Sequence, residues 1–436
     1  MRTVEEHLES VLAAIEPVAE EVLPLDQVHG LVLTRDVVSD VDLPRFANSA
    51  MDGYAVRATE IADITPEHPR SVPVLGDIAA GDGARHTHRE GSVWRIMTGA
   101  PIPEGADAVV RVEDTDGRPR EVLISHAPEA GENVRPAGDD VRAGDVILRR
   151  GTRVGATQLA ILASAGVAEV AVTGPVRVVV LSTGDELVPL GEPVGPGQIH
   201  DSNGPMLVAL IRAAGGTVVH TGHLPDDEKV IKKTLDHHLR DADLVITSGG
   251  VSKGGSYDAV KAVLTGTGSM EFAEVGMQPG KPQGFGLLGK RRVPLFTLPG
   301  NPVSVLVSFE VFVRPALARL AGRRHTPVTV PAVVQQGWSS PEGRQQYHRV
   351  RLTRDAAGTY AAAPVGGAGS HLVGGLAMAD GLAVVPAEIT QVATGAEVPV
   401  LPLRPVEEIE ADLAASTDRD TTAASSGQPP SVRGSW

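Results

Sequence analysis

The chain has 436 residues, 39 basic against 54 acidic side chains, a formal net charge of −15 and no cysteine. That balance, with no run of lysine or arginine, excludes a nucleic-acid-binding surface. The missing thiols exclude disulfides, thiolate metal sites and a cysteine nucleophile. With 42% hydrophobic and 21% charged residues, the composition is that of a soluble globular protein, and the length points to two to four domains.

In chain order, Glu5, Glu6 and Glu9 interrupt any signal sequence. The longest apolar stretches, Val176 to Leu181 and Ser304 to Val313, are too short or too interrupted to span a bilayer, so a cytoplasmic location without membrane contact is expected. Val4, Leu8, Val11, Leu12 and Ile15 keep a helical period over residues 3 to 16, ended by Pro17. Residues 22 to 43 read as a helix or turn followed by an extended run. From 44 to 136 short β-type runs are punctuated by glycine and proline: Val72 to Leu75, Gly91 to Met97, Ala108 to Val112 and Val122 to Ser125. A helix-like stretch, Thr157 to Ala165, precedes Gly166. Residues 177 to 320 alternate strand and helix, which argues for a parallel sheet wrapped by helices with ligands at the carboxyl ends of the strands. Short β runs return over 326 to 404. From about residue 414 apolar residues almost vanish, which predicts a disordered tail.

Two glycine-turned segments about fifty residues apart are the most informative feature: Thr247 to Gly254 and Leu298 to Ser304. Each follows an apolar strand and opens a helical stretch, so free backbone N–H groups and a helix dipole are expected to favour an anionic ligand. Neither fits a Walker loop or a dinucleotide fingerprint.

Further segments carry chemistry-bearing side chains beside ordinary structural readings. The turn Ser182-Thr183-Gly184-Asp185-Glu186 ends the first strand of the α/β unit; its carboxylates could hold Mg²⁺ or simply cap the chain. Ser202 or Asn203 reads as a helix cap, with Pro205 near the first turn. Asp227 reads as the cap of the helix starting near Glu228, and Asp226 either as a cap or as a site carboxylate. Asp258 follows the first glycine loop within a turn, where it would repel an anion unless a metal sits between them. Lys281, in Gln278-Pro279-Gly280-Lys281-Pro282, has a restrained backbone suited to a placed cation. Asn48 to Val56 and Met97 to Pro103 stand out in the β module. The 14 histidines show no metal-binding spacing.

Together these segments resemble the molybdopterin molybdenumtransferase family. The resemblance is carried by Pro44 to Val56 with its Ser-Ala-Met-Asp-Gly-Tyr-Ala core, Met97 to Val110, Ser182 to Leu187, Gly249 to Asp258, Pro279 to Pro282 and Leu298 to Ser304. They occur in the family's order and span nearly all of residues 1 to 404. The same fold forms the C-terminal domain of gephyrin.

The resemblance implies a multidomain α/β plus β protein. Residues 1–43 with 137–176 would form a discontinuous N-terminal domain, and 44–136 an inserted β domain. Residues 177–322 would form a central parallel-sheet α/β domain that binds molybdopterin. A C-terminal β-barrel-like domain would span 323–405, with 406–436 largely a disordered tail.

The implied reaction joins adenylyl-molybdopterin and molybdate, with Mg²⁺, to give molybdenum cofactor and AMP. It would take place in a homodimer whose active site is shared between subunits. Asp52, Thr98, Glu186, Asp226, Asp258 and Lys281 would be catalytic, with Glu186, Asp226 and Asp258 on the metal. Thr183, Gly184, Asn203, Gly249, Gly250, Ser252, Pro299, Gly300, Asn301, Arg349 and Ser370 would bind substrate, Arg349 and Ser370 at the oxyanion. A molybdopterin adenylyltransferase and apo molybdoenzymes are the implied further partners. Gln278, Glu274 and the Gly374-Gly375 pair depart from the family's usual lysines and serines, thinning the cationic ring. An adenylyltransferase-type enzyme and a dimeric scaffold protein of the same fold are the alternatives.

Overall fold

The computed structural model describes every residue except 226, 250–258, 266–269, 356 and 426–436; of 259, 260, 262 and 416–425 it describes the backbone alone. The chain divides into two compact units, residues 20–172 and residues 1–19 with 173–436. Helix α1 (Val4–Ala14) opens the second unit and begins with a capping box: Glu6 N donates to Thr3 Oγ1 and Thr3 N to Glu6 Oε2.

In the 20–172 unit, the stretch after residue 20 is a short strand and one 3-10 turn, not a helix. Five strands form the main sheet: β1 (Gly53–Val56), β2 (Arg70–Ile78), β3 (Val93–Ile96), β4 (Ala108–Arg111) and β5 (Glu121–Ile124). Their order is β4-β1-β3-β2-β5, antiparallel except between β2 and β3. Alternation buries Tyr54 and Val56 on one face and Ala55 on the other, as a two-residue period requires. Gly53 is required by contact, because a Cβ there would lie 1.9 Å from Val110 O. Helix α2 (Ala156–Ser164) packs Leu162 with Val154, Val170 and Val172 in a smaller core.

The other unit holds a six-stranded sheet. Its strands are β6 (Arg177–Thr183), β7 (Thr217–Leu224), β8 (Leu244–Ser248), β9 (Met270–Glu274), β11 (Pro282–Leu288) and β12 (Val293–Leu298). The order is β7-β6-β8-β12-β11-β9. The first four are parallel, and β11 and β9 add an antiparallel edge. Val178 and Val180 of β6 face one layer with Leu207 and Ile211 of α3 (Asn203–Ala213). Val179 and Leu181 face the other, with Ile231 and Leu235 of α4 (Glu228–His238). Such central strands, buried on both faces, read as continuous apolar runs, and each fully buried Leu or Ile contributes roughly 1.5–3 kcal/mol. Val4 and Val11 of α1, with Ile15 just after it, join the first layer. Helix α5 (Pro302–Ser308) continues through one π turn (Phe309–Val313) into α6 (Arg314–Leu320).

A closed five-stranded barrel follows: β13 (Val330–Val334), β14 (Gln345–Arg354), β15 (Tyr360–Pro364), β16 (Gly381–Val385) and β17 (Glu397–Pro402). Pairings run β14-β15-β13-β17-β16 and back to β14. A two-residue strand, β10 (Met277–Gln278), adds to β14 and ties the barrel to the loop before Lys281.

One difference from the sequence reading concerns the C-terminal segment. Residues expected to begin a largely disordered tail form helix α7 (Val406–Ser425). Ile409 is buried in the barrel core and Leu413 packs beside it, an apolar pair at i, i+4 that a low overall apolar content concealed. Tyr360 Oη donates to Glu410 at 2.6 Å, and Arg404 pairs with Asp412 at 2.6 Å.

Candidate active site

The carboxyl ends of β6, β8 and β12 open into a cavity of about 770 Å³, large enough for a nucleotide-sized ligand. Thr183 ends β6 and donates through Oγ1 to Ser248 O at 3.0 Å, locking two strand ends together. Gly249 then passes so close that a Cβ would lie 2.5 Å from Thr183 Oγ1 and 2.8 Å from Thr183 O, with φ at +97°. Only glycine fits there without moving the loop. Glu186 turns back against Gly184, whose carbonyl is bonded to His223 Nε2 at 2.6 Å.

The second glycine segment forms the facing wall through Pro299, Gly300 and Asn301. Asn203 joins the two walls: its Nδ2 donates to Gly300 O at 2.7 Å. Capping of α3 falls to Asp201, whose Oδ1 accepts from Asn203 N and Gly204 N, and not to Ser202 or Asn203 as the sequence suggested. Its neighbour's side chain is thereby released for the contact with Gly300. Asp227 caps α4 as expected, accepting from Lys229 N and Val230 N.

The barrel closes one side of the cavity. Asn301 Nδ2 donates to Ser370 Oγ at 2.9 Å, and Val303 N to Ser370 O at 3.1 Å. Arg349 lies behind this loop, only 4% exposed, and does not line the cavity. Its guanidinium donates to the carbonyls of Leu372 at 2.6 Å, Gly369 at 3.2 Å and Gly367. Burial pushes its pKa below arginine's ordinary value. Donors committed to three carbonyls hold the loop that carries Ser370.

Two of the amides expected to be free, those of Gly249 and Val303, are used within the protein. Gly249 N donates to Leu298 O at 2.9 Å and Val303 N is taken by Ser370, so both brace one loop on another. Among the described residues positive charge comes from Lys281, which lines the cavity and pairs with Glu274 Oε2 at 3.3 Å. Gln278, also in the wall, accepts from Arg344 Nη1 at 3.1 Å, bringing a guanidinium to the cavity's edge.

The cavity thus gathers Thr183, Gly184, Glu186, Asn203 and Gly249 with Lys281, Pro299, Gly300, Asn301 and Ser370. Asp226, Gly250, Ser252 and Asp258 lie outside the described residues. Among the described residues no cluster of three histidines or carboxylates is placed to hold a metal ion. His200, Asp201, Ser304 and His371 also line the cavity. Sequence reading passed over them, since a cap motif and single histidines carry no distinguishing signal.

In the 20–172 unit, Asp52 and Thr98 meet in one exposed pair. Thr98 N and Oγ1 both donate to Asp52 Oδ1, at 2.7 and 2.8 Å. These bonds, the backbone N–H foremost, hold the Asp52 carboxyl below its ordinary pKa and keep it ionised.

The family described as the MoeA N-terminal region (domain I and II) matches residues 2–166. A probable molybdopterin binding domain matches 179–319, and the MoeA C-terminal region (domain IV) matches 331–403. Molybdopterin molybdenumtransferase 2 of Mycobacterium tuberculosis is 43% identical over 411 residues, covering 92% of this chain and 99% of the relative. The molybdopterin molybdenumtransferase of Haemophilus influenzae is 36% identical over 88% of this chain and 94% of its own. The crystal structure of a molybdopterin biosynthesis MoeA protein from Pyrococcus horikosii superposes with a TM-score of 0.77 at 31% identity, covering 92% of this chain and 99% of that one. Matched over nearly its whole length in sequence and fold alike, the chain belongs to the molybdopterin molybdenumtransferase family.

Proposed function

We propose that this enzyme inserts molybdate into adenylyl-molybdopterin and releases AMP, completing molybdenum cofactor synthesis. One observation carries the reading. Two glycine-turned strand ends, a lysine and a barrel loop converge on a single cavity of about 770 Å³, in a chain that aligns over 92% of its length with a named molybdenumtransferase. Neither reactant needs a protein nucleophile. The work is to hold molybdate against the dithiolene and to stabilise charge as the phosphoanhydride breaks.

Lys281 and Ser370 would hold the oxyanion, with Arg349 acting through the loop it clamps. Thr183, Gly184, Gly249, Asn203 and the Pro299-Gly300-Asn301 wall would hold the nucleotide-linked pterin. Gly250 and Ser252 would extend that set.

Mg²⁺ binds through one or two carboxylates together with substrate phosphates. Glu186, exposed at the cavity wall, fits that mode, and Asp226 and Asp258 would complete it. The ion would neutralise phosphate charge when bound. Such a neutral sum would also reconcile an anionic substrate with a chain of net charge −15.

The enzyme is read as a cytoplasmic homodimer with four domains per subunit, 1–43 with 137–176, 44–136, 177–322 and 323–405. Asp52 and Thr98 of one subunit would act in the cleft of the other. A molybdopterin adenylyltransferase upstream and apo molybdoenzymes downstream are the natural partners. Matched regions on both sides of the molybdopterin-binding domain favour insertion over adenylyl transfer.

The deciding experiment combines purified protein, adenylyl-molybdopterin, Mg²⁺ and molybdate, and follows AMP release and reconstitution of an apo molybdoenzyme. Molybdate-dependent AMP and active molybdoenzyme are expected. Adenylylation of molybdopterin by ATP without metal insertion would establish the adenylyltransferase alternative.

A further inference from the structure

We infer that Glu274 sets the charge preference of the cavity by competing with the oxyanion for Lys281; this rests on the reading of Lys281 as an oxyanion ligand.

The two side chains meet because of the antiparallel edge of the sheet. Glu274 ends β9 in register with Pro282, the first residue of β11, so Lys281 lies beside it across the pair. Val275 N donates to Lys281 O at 2.8 Å, and Glu274 O accepts from Arg2 N at 3.1 Å, fixing both backbones. The resulting pair, Lys281 Nζ to Glu274 Oε2, spans 3.3 Å with each side chain about one-third exposed (35% and 34%).

Among the described residues, Lys281 is the only lysine or arginine lining the cavity. The N–H groups of Gly249 and Val303 are already used within the protein. Among the described residues, attraction for an anion at this wall therefore draws chiefly on one ammonium that already faces a carboxylate, with the Arg344 guanidinium held at the cavity's edge by Gln278. An ammonium has three donors, so Lys281 can keep Glu274 and still contact a ligand. A ligand bound there lies within a few ångströms of the Glu274 charge. That repulsion grows with the ligand's own charge, so a dianion is penalised about twice as much as a monoanion of the same shape.

Glu274 thus weakens the site for every oxyanion and weakens it most for tetrahedral dianions, moderating a cation that would otherwise retain its substrate. Because the pair is partly solvated, the effect is modest: exposed pairs of this kind correspond to about two- to fivefold in affinity.

Tungstate and perrhenate, tetrahedral oxyanions that differ by one unit of charge, are the probes. Each is titrated calorimetrically into the full-length parent, Glu274→Gln, Glu274→Asp and Lys281→Met. Glu274→Gln is expected to bind tungstate two- to fivefold more tightly, with a smaller gain for perrhenate and both gains fading in high salt. Glu274→Asp should stay near the parent. In turnover, Glu274→Gln should lower KM for molybdate without raising kcat, a split that a purely structural role would not produce. Unchanged or weaker tungstate binding by Glu274→Gln, or equal gains for both anions, overturns the inference. Parent-like tungstate binding by Lys281→Met overturns instead the reading of Lys281 as the oxyanion ligand.

Discussion

Thr98 directs its backbone N–H and its hydroxyl at one oxygen of Asp52, at 2.7 and 2.8 Å, leaving the second carboxylate oxygen aimed elsewhere from an exposed loop. Two donors on one oxygen orient a carboxylate that is otherwise exposed to solvent. Asp52→Ala should leave the fold intact, since the residue is exposed, and abolish molybdate-dependent AMP release. Thr98→Val keeps the N–H donor and loses the hydroxyl, so a smaller loss of about tenfold is expected, one hydrogen bond to a charged group. Circular dichroism and the AMP assay separate the two. Because Thr98 depresses the Asp52 pKa, any activity limb from this carboxyl lies below the ordinary aspartate range.

If subunits share a cleft, Asp52→Ala and Asp258→Ala damage opposite sides of it. A mixed dimer then keeps one intact cleft, and co-expressed, doubly tagged heterodimers should regain up to about half the parent rate per dimer on the statistics of closed twofold assemblies. Confirmed heterodimers without recovery refute the shared cleft.

Arg349 supports the barrel loop through three carbonyls at a site sealed from solvent. Arg349→Ala strands those acceptors and should cost about 2–4 kcal/mol of stability, read from the urea midpoint. Arg349→Lys cannot reproduce the forked geometry. It should raise KM for molybdate by displacing Ser370 while unfolding close to the parent.

Gly249→Ala tests the close crossing of the two strand ends. A methyl group 2.5 Å from Thr183 Oγ1, at a backbone angle that disfavours side chains, must shift the loop. A loss of about 1–3 kcal/mol in stability and a larger loss of turnover are expected. An alanine variant as active as the parent would remove the need for this crossing.

His7 and His348 are buried, and burial holds each near pKa 4, with Arg2 further lowering His7 and Arg349 further lowering His348. Both are neutral in the native state, whereas in the unfolded chain they take up protons near 6.5. Between those values the unfolded state binds more protons, so stability is complete above about pH 6.5 and falls as pH drops toward 4. Each contributes roughly 3 kcal/mol to that slope. Urea midpoints from pH 7 to pH 4.5 should fall steadily, and less steeply in His7→Gln. A flat profile refutes the assignment.

Much of this was legible from residue order. Strand and helix alternation over 177 to 320 identified the α/β layer, because buried parallel strands and amphipathic helices leave different apolar periods. In the 44–136 segment the runs from Val72, Gly91, Ala108 and Val122 match β2 to β5 within a few residues, whereas β1 stood out only within the Asn48 to Val56 motif. Thr183, Glu186, Lys281 and the Pro299-Gly300-Asn301 turn were identified by loop chemistry at strand ends, and the structure brings them to one cavity. Helix α7 was hidden because, among the described residues, Ile409 and Leu413 form its strong apolar anchor amid polar neighbours. Asp201 was read past in favour of Ser202 and Asn203, which are equally good caps in sequence.

By itself the sequence determined which groups exist and where the chain turns, since strand period, glycine placement and motif order are local properties. Tertiary structure alone decided how those groups are used. Asn203 meets Gly300 across 97 residues, and Asn301 meets Ser370 across 69. Gly249 and Val303 give their N–H groups to other loops, Arg349 turns to carbonyls, and Glu274 reaches Lys281. Each of these is a choice of partner made by packing. A donor or charge is committed by whichever acceptor the fold places within about 3 Å, and nothing in its immediate neighbours along the chain encodes that distance.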